Sequence, residues 1–61
     1  MDTVSIKLQM QADAAYRRGD IVEAIQLTKT AMKAAKSDSA KKVLQERIEA
    51  WAAEIIDKLD D

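Results

Sequence analysis

A single glycine constrains this chain more than any other residue, because Gly19 is followed at once by Asp20 and the pair reads as a helix stop joined to a helix start. Glycine takes the left-handed position just past a helix end without steric cost. Arg17 and Arg18 precede it and suit the negative end of a helix dipole. Asp20 is a good N-cap, and Glu23, three positions on, is placed to reach back and complete the aspartate form of a capping box. Gly19, Asp20 and Glu23 thus make a structural corner, and the segments on either side of it are expected to form an αα-hairpin.

Helical spacing extends that reading along the chain. A first helix over about residues 3–18, capped by Asp2 or Thr3, carries one apolar stripe of Val4, Leu8, Ala12 and Ala15 and a second of Ile6, Met10 and Ala14. Such a helix either touches both of its neighbours or turns Ile6 and Met10 toward a partner. The second helix, about residues 21–36, has an alanine-rich face of Ala24, Ile25, Thr28, Ala31 and Ala35, with Leu27 beside it. Small residues there allow a close helix approach. Ser37, Asp38 and Ser39 are all capping residues, and the short link they make sets neighbouring helices antiparallel. The third helix, about residues 39–59, carries Leu44, Ile48, Trp51, Ile55 and Leu59, widened by Val43, Ala52 and Ile56. Asp57, Asp60 and Asp61 stand at its negative end, where acidic charge is unfavourable and fraying is expected.

The expected fold is therefore all-α: one domain over residues 1–61, a three-helix antiparallel bundle made of a hairpin and a capping helix. Leu8, Ala24, Ile25, Ala31, Leu44, Ile48, Trp51 and Ile55 are the expected core, with Trp51 as the plug of the bundle or of a homodimer seam. Ile6, Met10, Leu27, Val43 and Ile56 are apolar residues in excess of that core and are the candidate partner-binding set.

Composition removes most chemistry. With 61 residues the chain buries only about 60% of its unfolded surface, so a monomer is marginal and a staple is expected. Cysteine and histidine are both absent, which removes disulfides, the usual zinc ligands and nucleophilic Ser-His or Cys-His catalysis. One glycine cannot build a phosphate-cradling loop. Glu46 with Glu49, and Glu54 with Asp57, have the spacing of paired carboxylates, but Arg47 and Lys58 interleave them on a solvated face. No catalytic, cofactor-binding or metal-binding residue is expected, and the chain is read as a non-enzyme.

Ten basic and eleven acidic residues leave a net charge of −1, so nothing in the total calls for nucleic acid or anionic lipid. Lys29, Lys33, Lys36, Lys41 and Lys42 cluster around the second link, whereas the last third is acidic, giving a dipolar molecule in which the lysines are read as a solvated face. No apolar run approaches the roughly 20 residues that span a bilayer, and no leader pattern opens the chain, so the expected compartment is the cytosol.

The corner resembles a known pattern. Ala15 through Ile25, with Thr28, Ala31 and Met32, is similar to the hairpin of a tetratricopeptide repeat, with its Gly-Asp corner and small residues where Ala24 and Ala31 stand. That likeness covers about residues 5–38, and it departs from the consensus at Leu8 or Ala15, at Thr28 and at Lys36, where aromatic residues and a proline are usual. Ile6, Leu8, Ala12, Gly19-Asp20, Glu23-Ala24-Ile25, Leu27 and Ala31 also resemble the MIT domain, a three-helix module of proteins that handle membrane-remodelling filaments. The chain is about two helical turns shorter than a typical member. Either resemblance implies a module that binds a peptide or helix in an inter-helical groove. The expected function is thus capture of an amphipathic segment of a protein partner. The alternative is a structural homo-oligomer, a helical dimer that buries the same excess apolar surface.

Overall fold

The computed structural model describes residues 3–59. They form three helices, α1 (Thr3–Arg17), α2 (Ile21–Ala34) and α3 (Asp38–Leu59), with no strand among the described residues. Asp2, Asp60 and Asp61, named above for capping and fraying, lie outside them.

The first corner ends α1 as its glycine requires. Gly19 has φ +91°, and the amides of Gly19 and Asp20 donate to the carbonyls of Tyr16 (3.0 Å) and Ala15 (2.9 Å). This pair of bonds is a Schellman motif, which satisfies carbonyls that the helix end leaves open. Asp20 then caps α2, its Oδ1 accepting from the Glu23 amide at 3.1 Å. The expected return arm of a capping box is not made. The Asp20 N–H is already committed to Ala15, and the Glu23 carboxylate instead pairs with Arg18.

The second junction is one residue longer than the spacing predicts, residues 35–37 in place of 37–38. Ala35 leaves the helix in an extended conformation (φ −69°, ψ 136°), so α2 stops at Ala34 rather than near Lys36. Ser37 is the cap of α3, its Oγ accepting from the Ala40 amide at 3.1 Å, so α3 begins at Asp38.

Packing follows the small residues. Ala12 and Ala15 of α1 and Ala24, Thr28 and Ala31 of α2 are fully buried, and the backbones of these two helices meet along most of their length. Thr28 keeps its hydroxyl satisfied by donating to the Ala24 carbonyl at 2.8 Å. Ser5, not Val4, continues the buried face of α1: its hydroxyl donates to the Ala31 carbonyl across the interface at 3.4 Å, while Val4 is exposed. A side chain as small as serine fits the close approach that these alanines set, where valine would not.

On α3, Leu44, Ile48 and Trp51 are buried. Leu8 is half-buried against the Ala31–Ala35–Leu44 cluster, and Ile25 and Ile55 are half-buried against the Ala12–Ala15–Ile21–Ala24–Trp51 cluster. Leu59 is 80% exposed, so the apolar stripe of α3 stops contributing to the core at Ile55.

The layout is a slab of 38 × 21 × 12 Å with α2 in the middle. Helices α1 and α3 both pack on α2, and nowhere do their Cα atoms come within 8 Å of one another.

Candidate functional site

Because α1 and α3 are held apart, only long side chains bridge them, and they do so at one end. Tyr16 of α1 stacks on Trp51 of α3, with ring centroids 5.1 Å apart and planes 15° from parallel. Its hydroxyl donates to Glu54 Oε1 at 2.9 Å. Arg47 places its guanidinium 5.5 Å from the Trp51 ring centroid and donates to Asp13 Oδ1 at 3.3 Å. This cluster ties α1 to α3 near the glycine corner through stacking, cation–π attraction and charge-assisted hydrogen bonding. The hydrogen bond to Glu54, followed by partial burial and the negative charge of that carboxylate, raises the Tyr16 hydroxyl above its ordinary pKa of 10.0.

Toward the other end no ring stack or ion pair joins the two helices among the described residues. A cleft of about 400 Å³ remains, walled by Ser5 and Gln9 of α1 and by Ala40 and Leu44 of α3, with Ala35 at its floor. It continues past Gln9 and Ala40 to Val43. Ile6 neighbours Gln9 along α1, three positions away, and Met10 stands one turn beyond Ile6. Ile6, Met10 and Val43 are 44, 68 and 58% exposed. The floor and the α3 rim are thus apolar, whereas the α1 wall is made by Ser5 and Gln9.

The structure does not bring the five candidate partner-binding residues to a single surface. Val43 lines the cleft, whereas Ile6 and Met10 are exposed on α1 and line neither the cleft nor its extension. Leu27 is half-buried and faces a shallow depression between α1 and α2 with Gln11 and Ala14. Ile56 is exposed on α3, outside both core clusters. A second groove, of about 430 Å³ between α2 and α3, gathers Lys29, Lys33 and Lys41 around Met32 and Ile48. Part of the lysine cluster noted in the sequence is thus a rim around an apolar floor.

Sequence reasoning missed the bridge of Tyr16, Arg47, Asp13 and Glu54. Tyr16 and Glu54 are 38 positions apart and Asp13 and Arg47 34 apart, so no local periodicity links them. The one available signal was that Tyr16 and Trp51 are the only aromatic residues of the chain.

Among the described residues no cluster of acidic side chains could hold a metal ion, and no helix is long and apolar enough to cross a membrane. Of the paired carboxylates, Glu46 and Glu49 are exposed and Glu54 is engaged by Tyr16. In comparison with known proteins, the chain matches no family model, no curated sequence and no solved structure.

Proposed function

We propose that this chain is a non-catalytic protein-interaction module that receives an amphipathic segment of a partner protein in the cleft between α1 and α3. The observation that carries the reading is the open end of that cleft, where Leu44, Ala40 and Ala35 form an apolar bed and Val43 stands exposed beside it. An amphipathic helix that laid its apolar face there would remove these side chains from water. Burial of several hundred Å² at roughly 25 cal/mol per Å² is a large gross gain, and association and ordering costs reduce it to an affinity on the order of micromolar. The likeness of the corner to peptide-binding helical hairpins supports the same class of function.

The test is selection of amphipathic helical peptides from a display library against the whole chain, followed by amide chemical-shift mapping. Selected peptides are expected to perturb α1 around Ser5–Met10 and α3 around Ala40–Leu44. Gln9→Asp with Val43→Asp should then weaken binding by about tenfold or more while helical circular dichroism is retained. Peptides that bind through α2 and α3 alone, or a double variant that binds as well as the parent chain, would remove the cleft from consideration.

A further inference from the structure

Three of the lysines around the second link are held about an apolar groove. Lys29 and Lys33 stand one turn apart on α2, Lys41 stands on α3 across from them, and Met32 and Ile48 lie between, with Gln45 in the wall. No acidic side chain lines this groove; Glu49, one turn past Gln45, does not join it. Like charges one helical turn apart repel, and no ion pair among the described residues relieves the three lysines. The helix rows that carry them are also free of acid. On α2 the row is Val22, Gln26, Lys29 and Lys33, and on α3 it is Lys41, Gln45, Ile48, Ala52 and Leu59. Both rows run from lysine near the second link to apolar side chains near the glycine corner, where Val22 and Leu59 line one depression and are 57 and 80% exposed. These rows are therefore cationic at one end and apolar at the other.

We infer that the α2–α3 groove takes an acidic amphipathic helix of a partner protein, with carboxylates at one end of that helix and a bare apolar stripe toward the other. Two carboxylates one turn apart on one flank match Lys29 and Lys33, and a third on the opposite flank matches Lys41. The apolar stripe between the flanks covers Met32 and Ile48 and runs on toward Val22 and Leu59. The same geometry disfavours a lipid surface. Ile48 is only 9% exposed at the floor of a groove of about 430 Å³, where a flat bilayer would not reach it. This groove and the α1–α3 cleft share no lining residue, so the two readings stand or fall separately.

The test uses the full chain and two synthetic helical peptides of about 15 residues with the same leucine face. One carries glutamates at i and i+4 on one flank and a third on the other flank; the second carries lysines at those three places. Amide chemical-shift mapping with the glutamate peptide is expected to move residues 29–33 and 41–48, with a Kd on the order of micromolar that rises with salt. The lysine peptide should bind about tenfold more weakly or worse. The triple variant Lys29→Glu, Lys33→Glu, Lys41→Glu changes exposed side chains only, so it should keep its helical circular dichroism and reverse the preference between the peptides. Gln9→Asp with Val43→Asp, in the cleft, should leave the affinity for the glutamate peptide within about twofold. Equal affinity for the two peptides in the parent chain would overturn the inference, whatever the variants do. So would a preference that survives the lysine reversals, or shifts confined to α1. Binding to vesicles of anionic phospholipid that the glutamate peptide does not displace would place a lipid surface on the lysines, and self-association lost on the lysine reversals would place a second copy there; either result overturns it as well.

Discussion

Tyr16 joins the two outer helices through a ring stack and a hydroxyl that donates to Glu54, and the second contact makes stability depend on pH. Its folded pKa lies above the unfolded value near 10.0, so the proton is held more tightly in the folded chain. The associated stability is present below the unfolded pKa and is lost as pH rises through the folded one. Thermal unfolding should therefore show a fall in Tm above pH ~10. Tyr16→Phe should be less stable at neutral pH and lack that component of the alkaline fall. An identical alkaline profile in the two proteins would show that the Tyr16 hydroxyl contributes nothing to the loss. Gly19 offers a different test, because a Cβ built there meets nothing within 4 Å. The cost of substitution is thus backbone strain at φ +91° alone. Gly19→Ala should destabilise by about 1 kcal/mol and Gly19→Val by more, measured by urea unfolding. Gly19 was legible because a lone glycine before an N-cap residue has few other uses. The partner of Glu23 was not, because the choice between the Asp20 amide and Arg18 depended on where the Asp20 N–H had already gone.

Between α1 and α2 the interface is made of side chains with nothing to spare. Ala12, Ala15, Ala24 and Ala31 have no exposed surface, and the helices meet closely along most of their length. Ala24→Leu is therefore expected to cost about 1–3 kcal/mol in chemical denaturation, although leucine is the more hydrophobic residue and a good helix former. Unchanged stability would mean that the seam can widen freely. The alanine periodicity of α2 made this seam readable from the sequence, since small residues recurring on one helical face have a clear packing use. On the matching face of α1 the spacing places Ala12 and Ala15 correctly and differs from the structure only at its start, where Ser5 takes the position expected of Val4. Hydropathy favours Val4 over Ser5, but close backbones reward small volume, and the Ser5 hydroxyl finds an acceptor in Ala31. The stripe of α3 extends in spacing to Leu59, which stands beside an open depression with Gly19–Val22 at the start of α2 and remains 80% exposed.

Viewed whole, the molecule has a Cα radius of gyration of 11.6 Å, somewhat above the ~10.5 Å expected for a compact chain of this length. The excess reflects the slab, in which α1 and α3 stand beside α2 instead of closing on each other. Helix number and antiparallel order were legible from the two capped junctions. The gap between α1 and α3 was not, because it depends on the combined volumes of Ser5, Gln9, Ala35 and Ala40, which no single helix reveals. The same layout bears on how the chain folds and opens. Each pair of helices packed backbone to backbone is adjacent in sequence, so only the side-chain contacts between α1 and α3 wait on closure of a long loop, and the low contact order favours folding on the microsecond-to-millisecond scale. Either outer helix can detach while the remaining hairpin stays packed, whereas releasing α2 dissolves both interfaces at once. In native-state hydrogen exchange the amides of α2 should therefore exchange only through global unfolding, and those of α1 and α3 through cheaper partial openings. Equal protection across all three helices would mean that the bridge at Tyr16 and Trp51 couples the outer pair into one cooperative unit.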